Sequence, residues 1–74
     1  MSSIAEAIRE QLMANDAEYQ SLRQEHAHYA TQLEQLASKR FLNDQEQLEE
    51  VRLKKLKLRA KDRMEMLVRR AQGA

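Results

Sequence analysis

From Met1 to Gln72 the chain contains no glycine and no proline; its single glycine is Gly73. These two residues are the strongest helix breakers and the commonest makers of tight turns, so their absence favours long helices. Charged residues make up 34% of the sequence and aromatics 4%, the balance of surface-exposed helices or a coiled coil, not of a sheet. The expected fold class is all-α: an antiparallel, coiled-coil-like helical hairpin with a short N-terminal helix or helical extension, assembled into a multi-helix bundle.

Size sharpens that expectation. In a domain of 74 residues one hydrophobic core rarely contributes more than about 3–5 kcal/mol. With no cysteine there is neither a disulfide nor a thiolate metal site to staple the chain, and oligomerisation is the staple that remains. Residues 1–38 carry six acids and two bases, and residues 39–74 carry eleven bases and six acids. Two such halves are complementary if they fold against each other. No stretch approaches the length of apolar chain needed to cross a bilayer, and the amino terminus has no basic segment leading into an apolar one, so a cytoplasmic location is expected.

The sequence reads as one hairpin domain over residues 1–74. Its helices are expected over about 4–14, 16–38 and 44–72, with a turn over about 39–43. Ser3-Ile4-Ala5-Glu6 has the form of a capping box, with Ile4, Ile8 and Leu12 marking one face of the helix it opens. Asn15-Asp16-Ala17-Glu18 resembles a second helix start with acids in its first turn, which predicts a break or kink near Asn15. Spacings of three and four run across that joint from Ala5 through Ile8, Leu12, Asn15, Tyr19, Leu22, His26, Tyr29 and Leu33 to Leu36, and these also fit one continuous helix. Ser38 to Asn43 has little periodicity, and Asn43 or Asp44 can cap the next helix through Glu46 or Gln47. A short connection makes its two helices antiparallel neighbours. Counted back from the turn, Leu33 is expected near Leu48, Tyr29 near Leu53, His26 near Leu56 and Leu22 near Ala60, with Phe41 and Leu42 plugging the end or, alternatively, forming a docking tip.

The third helix is apolar on two sides. At about 100° per residue, Leu53, Leu56, Ala60, Met64, Leu67 and Ala71 share one face, and Leu48, Val51, Leu58 and Met66 lie roughly opposite. The first face closes the hairpin. The second needs other cover, and a homo-oligomer, dimer or tetramer, is the expected source, with an unknown protein partner as the other.

Between Arg52 and Arg63 the helix is also rich in Lys and Arg. Lys54, Lys55, Lys57, Arg59 and Lys61 are the candidate nucleic-acid contacts, since basic side chains gain affinity by releasing counterions from phosphates. They spread around the helix instead of forming one stripe, which favours seam-covering stems and interhelical ion pairs over nucleic acid or an anionic membrane surface. His26 and His28 are two apart on a helix and point to nearly opposite sides, so they do not chelate one metal ion. His26 reads as a seam histidine, able to make assembly pH-dependent because imidazole titrates near neutrality, and His28 as solvent-exposed. Tyr19 and Tyr29 read as core filler, and Met64 and Met66, which fall on different faces, as gap-fillers. Asp62 amid the bases reads as an ion-pair partner. There is no Gly-rich phosphate loop and no nucleophile with a base at useful spacing. No catalytic residue, cofactor or metal site is therefore expected.

The run Leu53-Lys54-Lys55-Leu56-Lys57-Leu58-Arg59-Ala60-Lys61-Asp62-Arg63-Met64 resembles the carboxy-terminal signature of the YdcH-like family, short bacterial proteins assigned to a domain of unknown function. Leu22-Arg23-Gln24-Glu25-His26, followed by Tyr29, Leu33 and Glu34, is similar to that family's first long helix. The resemblance spans roughly Asn15 to Leu67. It departs at Ala30, where the family often has an acid, and at Ala60, where it often has Leu. It implies a helical hairpin in a larger bundle, with no established activity or cofactor.

Overall fold

The computed structural model describes residues 3–73. Three helices follow one another, α1 over Ile4–Asn15, α2 over Ala17–Ala37 and α3 over Asp44–Ala71. No strand occurs among the described residues. The fold is all-α, and α2 and α3 form its antiparallel hairpin.

Polar side chains set the start of each helix. The Ser3 hydroxyl accepts from the Glu6 backbone N–H at 3.1 Å, satisfying one of the free donors of a helix start. Between α1 and α2 a single residue, Asp16, is extended at φ −112°, ψ 112°. Its backbone N–H still donates to the Leu12 carbonyl at 2.8 Å, closing α1, while its side-chain Oδ1 accepts from the Tyr19 N–H at 2.8 Å, opening α2. The Gln20 amide then donates to the Met13 carbonyl at 2.6 Å, filling a place that a continuous helix would give to a backbone N–H. The two side-chain hydrogen bonds thus hold the chain bent where the heptad pattern alone runs straight through.

At the hairpin tip Asn43 caps α3 in a reciprocal box: its side chain accepts from the Glu46 N–H at 2.7 Å and its own N–H donates to the Glu46 carboxylate at 3.1 Å. Lys39 also binds that carboxylate. The Lys39 hydrogen bond first, and the Asn43 N–H second, hold the Glu46 pKa below its ordinary value. Leu42 is half-buried, and its carbonyl accepts from the Gln47 amide at 3.1 Å. Phe41 does not plug the bundle: it is 83% exposed. At the far end, Gly73 takes φ +85° just beyond α3, the left-handed position at which helices stop most easily on glycine.

The core lies in two parts along α3. Nearer the tip, Leu53 and Ala60 are buried against α2. Nearer the termini, Tyr19, Leu67 and Val68 form a cluster, and Ile8, Leu12 and Met13 of α1 pack on it with Leu22 and Met64. The short first helix therefore folds back over the hairpin and touches both other helices. Two placements differ from the sequence reading. Leu48 is exposed and does not fill the site opposite Leu33, because it lies on the far side of α3. Ala71, expected on the inner face, is exposed in the last turn, beyond the cluster that α1 covers.

The result is a rod of 46 × 23 × 19 Å with a radius of gyration of 15.2 Å, against about 11 Å for a compact domain of this length. Its accessible surface is 5934 Å², whereas a compact monomer of its mass exposes about 4,700 Å².

Candidate self-association face on the third helix

Leu48, Val51, Leu58 and Met66 come together on the side of α3 turned away from α2. They are 73%, 49%, 56% and 48% exposed. The inner face holds Leu53, Ala60 and Leu67 buried, with Leu56 and Met64 half-buried. The hairpin covers the inner face, whereas the outer one is open and carries Lys55 and Asp62, both exposed, among its apolar residues.

Charges border the exposed stripe. On one flank Arg52 binds Glu49, with Nε 3.0 Å from the carboxylate. That hydrogen bond, reinforced by the Coulomb attraction, raises the Arg52 pKa and lowers that of Glu49. Arg63, on the same flank, reaches across to Glu18 of α2 at 2.9 Å and donates to the Met66 sulfur at 3.3 Å. This second contact ties the side chain of Met66 to the border of the face. On the other flank Lys54 stands 3.7 Å from Glu50. Lys55, Lys57, Arg59 and Lys61 enter none of the ion pairs formed among the described residues. Only the Arg63–Glu18 pair joins the basic half to the acidic half there, so apolar burial does more than charge to hold the two together.

No family model, curated protein or solved structure matches the chain. The face itself has to carry the functional reading. It offers dispersion and desolvation, not chemistry: aliphatic and thioether carbon along one side of α3, with Lys55 and Asp62 among it and ion pairs at its borders.

Elsewhere the surface is shallow. A cleft of about 350 Å³ where α1 meets α2 is lined by Met13, Gln20, Arg23, Gln24 and Ala27, a set with one cation, two amides and no acid–base pair. His26 is half-buried and His28 exposed, with the His28 and Tyr29 ring centroids 6.1 Å apart. Among the described residues no cluster of His, Cys, Asp or Glu is placed to hold a metal ion, and no helix is long and apolar enough to cross a membrane.

One structural residue escaped the sequence reading. Val68, buried beside Tyr19 and Leu67, belongs to neither of the two assigned faces. It follows Lys61 and Met64 at helical spacing, beside the inner face, on the side of α3 against which α1 packs. A cleft lined by Arg9, Tyr19, Lys61, Met64 and Val68 marks that junction.

Proposed function

We propose that this chain is a structural or protein-interaction module that self-associates through α3. The observation that carries the reading is the exposure of Leu48, Val51, Leu58 and Met66 on one face of a well-formed helix. Large apolar side chains exposed together on one face mark interaction sites. The excess of about 1,200 Å² of surface over a compact monomer supports the same reading, since it exceeds the roughly 800 Å² that each partner buries in a standard interface. A YdcH-like assignment with a bacterial, cytoplasmic setting is proposed alongside it on the strength of the residue pattern from Asn15 to Leu67.

Contact with nucleic acid through Lys54, Lys55, Lys57, Arg59 and Lys61 is the second reading and has less support. Lys54 is engaged by Glu50, and the five bases spread around the helix instead of forming one stripe.

The test is sedimentation equilibrium of the wild type and of the double variant Val51→Asp, Leu58→Asp. The wild type is expected to be a dimer or tetramer and the variant a folded monomer, because two carboxylates buried in an apolar contact without partners are strongly unfavourable. Both substituted positions are exposed within the hairpin, so helicity by circular dichroism should be retained. An oligomer that survives both substitutions would rule this face out.

A further inference from the structure

Along the exposed face the apolar residues alternate with charges at heptad spacing. Leu48, Lys55 and Asp62 recur every seven residues, as do Val51 and Leu58. Lys55 and Asp62 are both exposed, and neither takes part in an ion pair formed among the described residues. Within one chain they stand roughly 10 Å apart along the helix axis, too far to satisfy each other.

Their positions become meaningful on reversal of the helix. Lys55 lies as far before the midpoint between Leu58 and Arg59 as Asp62 lies after it. The same midpoint relates Val51 to Met66. We propose that a second copy of this chain lies on the face antiparallel, with its two-fold axis between Leu58 and Arg59. Lys55 of each copy then meets Asp62 of the other, Val51 meets Met66, and the two Leu58 side chains approach beside the axis. A two-fold contact uses the same patch on both copies, so each pairing occurs twice.

The competing arrangements are poorer for a stated reason. In a parallel in-register pair Lys55 faces Lys55 and Asp62 faces Asp62, which is repulsive. Sliding the antiparallel partner by one heptad in one direction puts Lys55 on its own counterpart; sliding it the other way does the same to Asp62. A charged residue at a seam position specifies register in this way, at some cost in stability. This inference rests on the self-association reading above and adds polarity and register to it.

The experiment measures dimer dissociation constants by sedimentation at low ionic strength, where screening is weak. Five samples are compared: wild type, Lys55→Asp, Asp62→Lys, the double variant carrying both, and an equimolar mixture of the two single variants. Each single variant replaces two attractive pairs by two repulsive ones, and its dissociation constant should rise about tenfold. The double variant and the mixture restore opposite charges at both places and should return close to wild type. The chain has no native cysteine, so a second readout is direct: Val51→Cys mixed with Met66→Cys should give a mixed disulfide on oxidation, and neither variant alone should cross-link. Single variants that dimerise like wild type, or Val51→Cys cross-linking to itself, would overturn the register while leaving self-association standing. A wild type monomeric at every concentration would remove both.

Discussion

Leu53 is 1% exposed, the most deeply buried large side chain in the hairpin, and it meets α2 in the part of the core that α1 does not reach. Truncation to Ala leaves a cavity that the rigid helix pair closes only in part, so Leu53→Ala should cost about 2–5 kcal/mol in urea denaturation. A loss under about 1 kcal/mol would mean that the α2–α3 seam is not the main core. Position on the helix wheel was enough to assign Leu53, Ala60 and Leu67 to the inside and Val51, Leu58 and Met66 to the outside; for Leu48 the wheel was right and the count back from the turn, which set it beside Leu33, was not. It failed for residues whose burial depends on what lies beyond their own helix. Phe41 is hydrophobic and next to Leu42, yet the tip has no third element to receive it. Ala71 shares the inner face by angle but lies past the cluster that covers Leu67. Val68 is buried by α1, and no pattern within α3 announces where α1 will come to rest.

Among the elements, the joint at Asp16 shows where local chemistry overrides periodicity. Three- and four-residue spacings pass through it without interruption, and only the cap bond to Tyr19 and the Gln20–Met13 bond define a bend. The sequence offered both a break near Asn15 and a continuous helix, because cap strength and tertiary docking of α1 compete at a level that one sequence does not price. Asp16→Ala removes the cap and substitutes the best helix former, so about 1 kcal/mol of support for the bend is lost and extension through the joint becomes cheaper. The expected outcome is a longer particle, seen as a larger radius of gyration by small-angle scattering, together with faster amide exchange at Leu67 and Val68 as α1 lifts away. An unchanged radius would mean that Ile8, Leu12 and Met13 hold the bend without the cap. The tip is the opposite case: the Asn43–Glu46 box was legible in the sequence because all its atoms belong to neighbouring residues.

For the whole molecule, the decisive feature is the slender shape, with a surface of 5934 Å² on a chain whose core is a single seam and one cluster. Under the proposed assembly the second face of α3 is covered only by another copy, and the free energy of folding then includes a bimolecular part. Melting temperature should rise with protein concentration by mass action, most plainly across the range in which sedimentation shows dissociation, and the Val51→Asp, Leu58→Asp variant should lose that dependence. A wild-type melting temperature constant over a hundredfold dilution would place all of the stability within one chain. If the dependence is present, the amount of this protein in a cell becomes a setting of its folded fraction: halving its synthesis would lower the share of chains that survive proteolysis as well as their number, so the response to dosage would be steeper than linear.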